Sequence, residues 1–442
     1  MEILIQVLQL LLSLSILVIF HEFGHFVSAK IFKTRVEKFY LFFNPWFSIF
    51  KFNIKGTEYG LGWLPLGGYV KISGMIDESM DREQLKKAPE PWEFRSKPAW
   101  QRLIIMLGGV LVNILLAIAI YIVMLSYWGE QYIPTSEVKY GITVDSLGYE
   151  MGLRPGDKIV SVDQRQVEEF HKIPAEIIIE EARTVQVIRN GEMVDVKIPP
   201  GFLNKMVHHR SPDFIGIRVP FYVGGFDKDS PAEKAGLEVD DQIIGINDEQ
   251  AMYFDEFRDK IQNYKGEEVS ISLVRNNDTI QKQVQVSPEG MIGVFTKHPS
   301  NLFNFREKNY NLIEAIPAGT VKAYKGVENY LKQLRLLFSP EVKAYESVGG
   351  FITIGSIFPS QWDWQAFWGL TAFLSIMLAI LNILPIPALD GGHVMFLLYE
   401  IIARRKPSDK FLEYAQIVGM VILFGLLILA NGNDIMRYVF NR

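Results

Sequence analysis

The chain has 442 residues, a formal net charge of −5 and no cysteine. So small a charge gives no argument for nucleic-acid binding, and any metal must be held by His, Asp or Glu because thiolates are absent. Apolar residues make up 49% while mean hydropathy is only +0.12, too polar for a wholly membrane-embedded chain and too apolar in stretches for a wholly soluble one.

Four segments approach the roughly 20 residues needed to cross a hydrocarbon core. The first runs from about residue 3 to 27. It lacks the basic flank and small-residue cleavage site of a signal peptide, so it is expected to stay in place. Near its end lie His21, Glu22, Phe23, Gly24 and His25. Helix positions i and i+4 share a face, so His21 and His25 can hold one Zn²⁺, with Glu22 beside them to take a proton from water at the metal. Ionisable groups inside a membrane span are costly and functional by default. The alternative is an ordinary signal anchor that happens to end in two histidines and a glutamate.

Between the first two spans, residues 56–72 carry aromatic and β-branched residues around Pro65 and the Gly67, Gly68 pair. That pattern reads as a β-hairpin. It is apolar enough to re-enter the membrane where it lines a protein-walled cavity, and a cytoplasmic hairpin is the alternative. Residues 77–97 are charged and read as a surface loop. The second span, about 103–128, carries no charge and ends in Tyr127 and Trp128, an interfacial aromatic pair.

Residues 129–300 contain a duplication. Gly152, Leu153, Asp157 and Ile159 recur as Gly236, Leu237, Asp241 and Ile243, an offset of 84 residues. Two copies are too few for a solenoid, so two small tandem α+β domains are expected, about 129–212 and 213–298. Both resemble PDZ domains of the bacterial protease-associated type, the second more closely. The first departs at Tyr149, Glu150 and Met151, where small residues are usual. PDZ domains capture extended peptides at a sheet edge, and the resemblance leaves open whether this pair binds a peptide or acts as a steric filter. His171, His208, His209 and His298 lack ligand spacing and read as surface or core histidines.

Residues 299–366 read as a linker with an amphipathic helix from Ala315 to Phe338, lying on the outer membrane face or packed against the tandem domains. The third span, about 367–384, is followed by Asn382, Pro385, Pro387, Asp390, Gly391 and Gly392. The prolines break the helix and the glycines allow a tight turn, leaving an acid on irregular chain at membrane depth. Asp390 thus becomes the candidate third metal ligand, because a catalytic zinc wants three protein ligands and an open position. The alternative is a cap for a helix beginning near His393. Asn382 and carbonyls freed by the prolines offer pairing groups for an extended peptide. A fourth, shorter span covers about 414–430.

If the spans alternate, Lys30, Lys33, Arg35 and Lys38, then Arg95, Lys97 and Arg102, then Arg404, Arg405 and Lys406 all fall on one side, which is expected to be cytoplasmic. The fold class expected is a multi-pass α-helical membrane protein with four spans, a membrane-associated β-hairpin and two tandem extracytoplasmic domains.

These motifs resemble the site-2 protease family of intramembrane metalloproteases, in its bacterial regulator of sigma-E protease subgroup. His21 to His25 matches the family's His-Glu-x-x-His helix, and Asn382 to Gly391 its Asn-x-x-Pro-x-Pro-x-Leu-Asp-Gly motif. The resemblance implies His21, His25 and Asp390 as ligands of one zinc, Glu22 as general base and Asn382 as a substrate contact. It also implies Pro385, Gly67, Gly68, Tyr69 and Val70 as substrate-binding, the last four in a re-entrant hairpin that presents substrate as a strand. The implied activity is cleavage of single-span membrane proteins in the bacterial inner membrane after a first extracytoplasmic cut, for example of anti-sigma factors or remnant signal peptides. Two departures stand out. The segment 347–355 lacks the common Gly-Pro-Ile, and 41–46 lacks Gly-Phe-Gly. A membrane scaffold with a relic zinc site and a zinc transporter are the alternative classes.

Overall fold

The computed structural model describes residues 2–75, 88–202, 205, 214–336 and 349–436. His208, His209, Ser347 and most of the charged stretch after Asp77 lie outside them. The chain forms two compact units. One holds the long apolar helices; the other is built on Glu130–Lys308.

The first unit begins with helix α1 (Glu2–Ile31), then strands β1 (Val36–Phe43), β2 (Phe50–Ile54), β3 (Thr57–Leu61) and β4 (Leu64–Ile72), then helix α2 (Ala99–Trp128). The strands form one sheet in the order β2-β3-β1-β4. Here the structure corrects the expected hairpin over 56–72. β3 and β4 do not pair with each other; β1 lies between them, parallel to β3 and antiparallel to β4. The physical reason lies at Gly67 and Gly68, which sit within β4 rather than in a turn. A register shift between Leu41 and Phe43 absorbs Gly67, which takes φ +137, while Gly68 pairs with Leu41. A Cβ at Gly68 would stand 2.6 Å from the Tyr40 carbonyl oxygen and 2.7 Å from Val18 on α1, so only glycine lets the sheet approach that helix.

The second unit carries the duplication. Its elements are β5 (Glu130–Tyr132), β6 (Ile142–Val144), α3 (Ser146–Met151), β7 (Lys158–Val162), α4 (Ile173–Ile179), β8 (Thr184–Arg189), β9 (Glu192–Lys197) and β10 (Ile215–Ile217). There follow β11 (Val223–Phe226), α5 (Pro231–Lys234), β12 (Gln242–Ile246), β13 (Glu249–Gln250), α6 (Phe254–Ile261), β14 (Glu268–Arg275), β15 (Asp278–Gln285), β16 (Val294–Thr296) and β17 (Arg306–Lys308). The antiparallel meander β7-β8-β9 is repeated as β12-β14-β15. Two hydrophobic cores result, one around Leu153, Val185 and Phe214, the other around Leu237, Ile243 and Ile271. The first core also takes Ile215 and Phe303 from outside residues 129–212.

One polar clamp recurs in both copies. Arg189 donates from Nε and Nη2 to Asp157 at 2.8 and 2.7 Å, and also to the Gly152 carbonyl. Arg275 does the same to Asp241, at 2.7 Å from both nitrogens, and to the Gly236 carbonyl. Each aspartate, 1% exposed, also accepts the backbone N–H three residues upstream. A bidentate guanidinium satisfies a buried carboxylate's lone pairs, and removing one partner of such a pair costs about 3–5 kcal/mol. Arg275→Met is therefore expected to speed amide exchange in β12 and β14 roughly 100-fold or more, while β7 and β8 keep their protection.

The remaining helices return to the first unit: α7 (Leu312–Leu336), α8 (Phe351–Ser356), α9 (Trp364–Ile383), α10 (Asp390–Ala403) and α11 (Asp409–Ile435). Helix α7 packs against the long helices, with Val327, Tyr330 and Leu334 against Ala117, Ile376 and Ile380. Gly319 permits this contact, since a Cβ there would meet Ile122 at 2.7 Å. Among the described residues four helices are long and apolar enough to cross a membrane: α1, α2, α9 and α11. Each of the two shortest expected spans is extended by capped turns. Asp363 accepts the Ala366 N–H to start α9, and Ser408 accepts that of Phe411 to start α11.

Candidate metal centre

Helix α1 runs unbroken through His21 and His25, so one turn separates the two imidazoles. Chain 365 residues beyond His25 supplies the third group. After α9 ends at Ile383, Pro385 and Pro387 forbid a continuous helix, and the loop reaches Asp390 through Ala388 at φ +94. A non-glycine residue in that region is strained, and such strain persists where surrounding structure enforces it. Gly419 of α11 presses against this loop, where a Cβ would lie 1.4 Å from the Pro387 carbonyl oxygen. Asp390 is the first residue of α10 and makes no cap; Leu389 holds the cap position. The capping alternative is thereby removed.

The three groups converge. Asp390 Oδ2 lies 3.1 Å from His21 Nε2 and 3.2 Å from His25 Nε2, and the two Nε2 atoms are 3.3 Å apart. Zinc binds such donors at about 2.0–2.1 Å, so the edges of its coordination tetrahedron are about 3.3 Å. The triangle of donor atoms matches one face of it. Asp390 Oδ2 is moreover buried without a hydrogen-bond partner, an arrangement that costs free energy unless a cation meets it. His25 Nδ1 sits 2.8 Å from the Ile105 carbonyl oxygen, which can only accept, so the proton is on Nδ1 and the Nε2 lone pair points into the triangle. The donor set therefore fits zinc.

Glycines make room for these rings. A Cβ at Gly24 would stand 2.2 Å from the Gly108 carbonyl oxygen, and one at Gly109 would stand 2.5 Å from His25 Nε2 and 2.6 Å from His21 Cε1. Helices α1 and α2 thus meet backbone to backbone beneath the imidazoles. A cavity of about 630 Å³ opens over the triangle, bordered by Glu22, the β4 segment Gly67–Val70, Asn382, His393 and Gln416. Asn382 Nδ2 is 3.2 Å from His21 Nε2. Of the residues expected to touch substrate, Pro385 alone does not border the cavity; it shapes the loop instead. His171 and His298 lie in the second unit, at a contact with Glu169 and at the start of a short turn.

Sequence reasoning overlooked Gln416, 6% exposed on α11, and Asn113, fully buried on α2. A lone amide in an otherwise apolar span was the available signal for each.

The pattern that defines peptidase family M50 matches residues 9–426 of the chain. The chain belongs to peptidase family M50. Its M50 relatives match nearly end to end. A Campylobacter jejuni protein provisionally named a zinc metalloprotease is 28% identical over 437 residues, covering 98% of this chain and 94% of that one. The regulator of sigma E protease of Haemophilus influenzae is 26% identical over 454 residues, 97% and 98% of the two chains. A Clostridium perfringens protein, also provisionally named a zinc metalloprotease, is 26% identical over 430 residues, 96% and 97%. This M50 chain thus pairs a membrane-type helix bundle with a three-donor cluster.

Gly109→Ala tests the packing beneath that cluster. The added methyl displaces both imidazoles, and zinc content of the purified protein, read by elemental analysis, is expected to fall at least tenfold.

Proposed function

We propose that the protein is a zinc-dependent endopeptidase of bacterial inner membranes that hydrolyses peptide bonds within the spans of single-span membrane proteins. The donor triangle of His21, His25 and Asp390, 3.1–3.3 Å on a side and set among apolar helices, carries this reading. The names of the M50 relatives agree with it.

His21, His25 and Asp390 would hold one zinc ion, which would supply Lewis acidity toward a carbonyl and toward water. Glu22 borders the same cavity and serves as general base, taking a proton from water and passing it to the leaving amine nitrogen. A peptide bond within a helix is shielded by side chains and locked by hydrogen bonds, so substrate must unwind first. Strand β4 is suited to receive the unwound segment. It ends its sheet, pairs only with β1 among the described strands, and its Gly67–Val70 stretch borders the cavity. An extended peptide adds to such an edge through main-chain hydrogen bonds. Asn382 holds the opposite side of the peptide.

Orientation follows from charge. Arg102 near the start of α2 donates to Glu400 near the end of α10 at 2.5 Å, and the Arg35 N–H donates to the Trp92 carbonyl. The basic clusters after α1, before α2 and after α10 therefore share one end of the bundle, assigned to the cytoplasm by the positive-inside rule. The tandem domains then lie outside the cytoplasm. Their repeated clamp and meander support the PDZ-like assignment, and their role would be to bind peptides or to admit substrates already trimmed outside the membrane.

Glu22→Gln is expected to abolish cleavage of a reconstituted single-span substrate while retaining zinc; Asp390→Asn is expected to lose zinc as well. Full cleavage by purified Glu22→Gln protein would sink the assignment.

A further inference from the structure

The surroundings of His21 pose a hydrogen-bonding conflict. Its Nδ1 lies 3.3 Å from Asn113 Nδ2, and its Nε2 lies 3.2 Å from Asn382 Nδ2. A neutral imidazole has one N–H and one lone pair, so it cannot accept from an amide N–H at both nitrogens. One of the two amides must present its oxygen. Asn113 Oδ1 is buried and has no hydrogen-bond partner where it stands. The two ends of a primary amide have nearly the same shape, and rotating the Asn113 amide by half a turn places this orphaned oxygen on Nδ1. Nδ1 then carries the proton and donates it, while Nε2 keeps its lone pair toward Asp390 and Asn382.

The same logic already holds for the neighbouring ring. His25 Nδ1 donates to the Ile105 carbonyl of α2. Asn113 lies eight residues further along α2, so one helix serves both rings, with a backbone oxygen for His25 and a side-chain oxygen for His21. Asn113 is fully buried, and its backbone carbonyl is engaged by Ser375 Oγ at 2.7 Å, which ties α2 to α9 at this level.

We propose that Asn113 is a positioning residue for the metal centre. Its side-chain carbonyl accepts the Nδ1 proton of His21 and so holds the Nε2 lone pair of that ring in the donor triangle. The proposal rests on the reading of His21, His25 and Asp390 as zinc ligands. Partners of this kind behind a metal-bound imidazole typically change metal affinity 10- to 100-fold.

The test is zinc affinity of the full-length protein in detergent, measured by competition with a chromogenic zinc chelator, with thermal unfolding of each metal-free variant followed in parallel. Asn113→Leu keeps the size and removes the acceptor; Asn113→Asp keeps the acceptor and removes the donor. Leu is expected to weaken zinc binding about 10- to 100-fold and Asp to stay within about threefold of wild type. A role in packing alone gives the reverse order, because Leu suits an apolar interior and a buried carboxylate does not. Wild-type affinity in Asn113→Leu, or a loss in Asn113→Asp as large as that in Asn113→Leu, overturns the proposal and leaves the ligand assignment standing. Absence of zinc binding by the wild type overturns the ligand assignment and the proposal with it. Should Asn113→Leu fail to fold, the affinity of Asn113→Asp decides alone.

Discussion

Everything in the helical unit depends on burying a carboxylate and two imidazoles together inside an apolar bundle. Isolated, each such group is costly where water is scarce, and a lone carboxylate especially so. The chain meets this by convergence: three donor atoms 3.1–3.3 Å apart form a cluster that could hold a metal ion. Convergence on that scale demands close helix contact, and the backbone-to-backbone approach at Gly24 and Gly108 provides it. It also demands that an acid be carried to membrane depth on broken helix. The prolines, the strained Ala388 and the wedge of Gly419 against Pro387 do that work.

The second consequence is a coupling between sheet and site. Because Gly68 has no side chain, β4 lies against α1; a Cβ there would stand 2.7 Å from Val18 and 3.7 Å from Glu22 Cγ. An edge strand and Glu22, the proposed general base, thus border the same cavity. A peptide added to that edge would be extended and aligned along the metal centre, which is the conformation amide hydrolysis requires and a helix denies. Loss of either glycine in β4 would separate delivery from chemistry without touching a ligand.

Much of the site was legible in the sequence because its signals are local. The i, i+4 histidines need only helical periodicity, and Asp390 announced itself by an acid among prolines and glycines after an apolar run. The duplication was legible for a related reason: the repeated Gly and Asp belong to a clamp that each copy closes on itself with Arg189 or Arg275. What escaped depends on long-range pairing. Strand β1 inserts between β3 and β4, so a stretch with hairpin composition is not a hairpin; no local pattern specifies a parallel partner. Helix α7 has an amphipathic stripe, yet the stripe alone does not say whether lipid, a domain or another helix covers it. Asn113 was passed over because an amide does not alter the charge of a span, although it lies fully buried with its side-chain amide 3.3 Å from His21 Nδ1.

We propose hydrolysis at membrane depth by this donor cluster. Its most direct test is to reconstitute the full chain with a single-span protein in liposomes and map the product termini by mass spectrometry. The expected termini lie within the apolar span, and are lost on chelation of zinc and restored when zinc is returned. Termini confined to segments outside the bilayer, or cleavage indifferent to zinc, would contradict it.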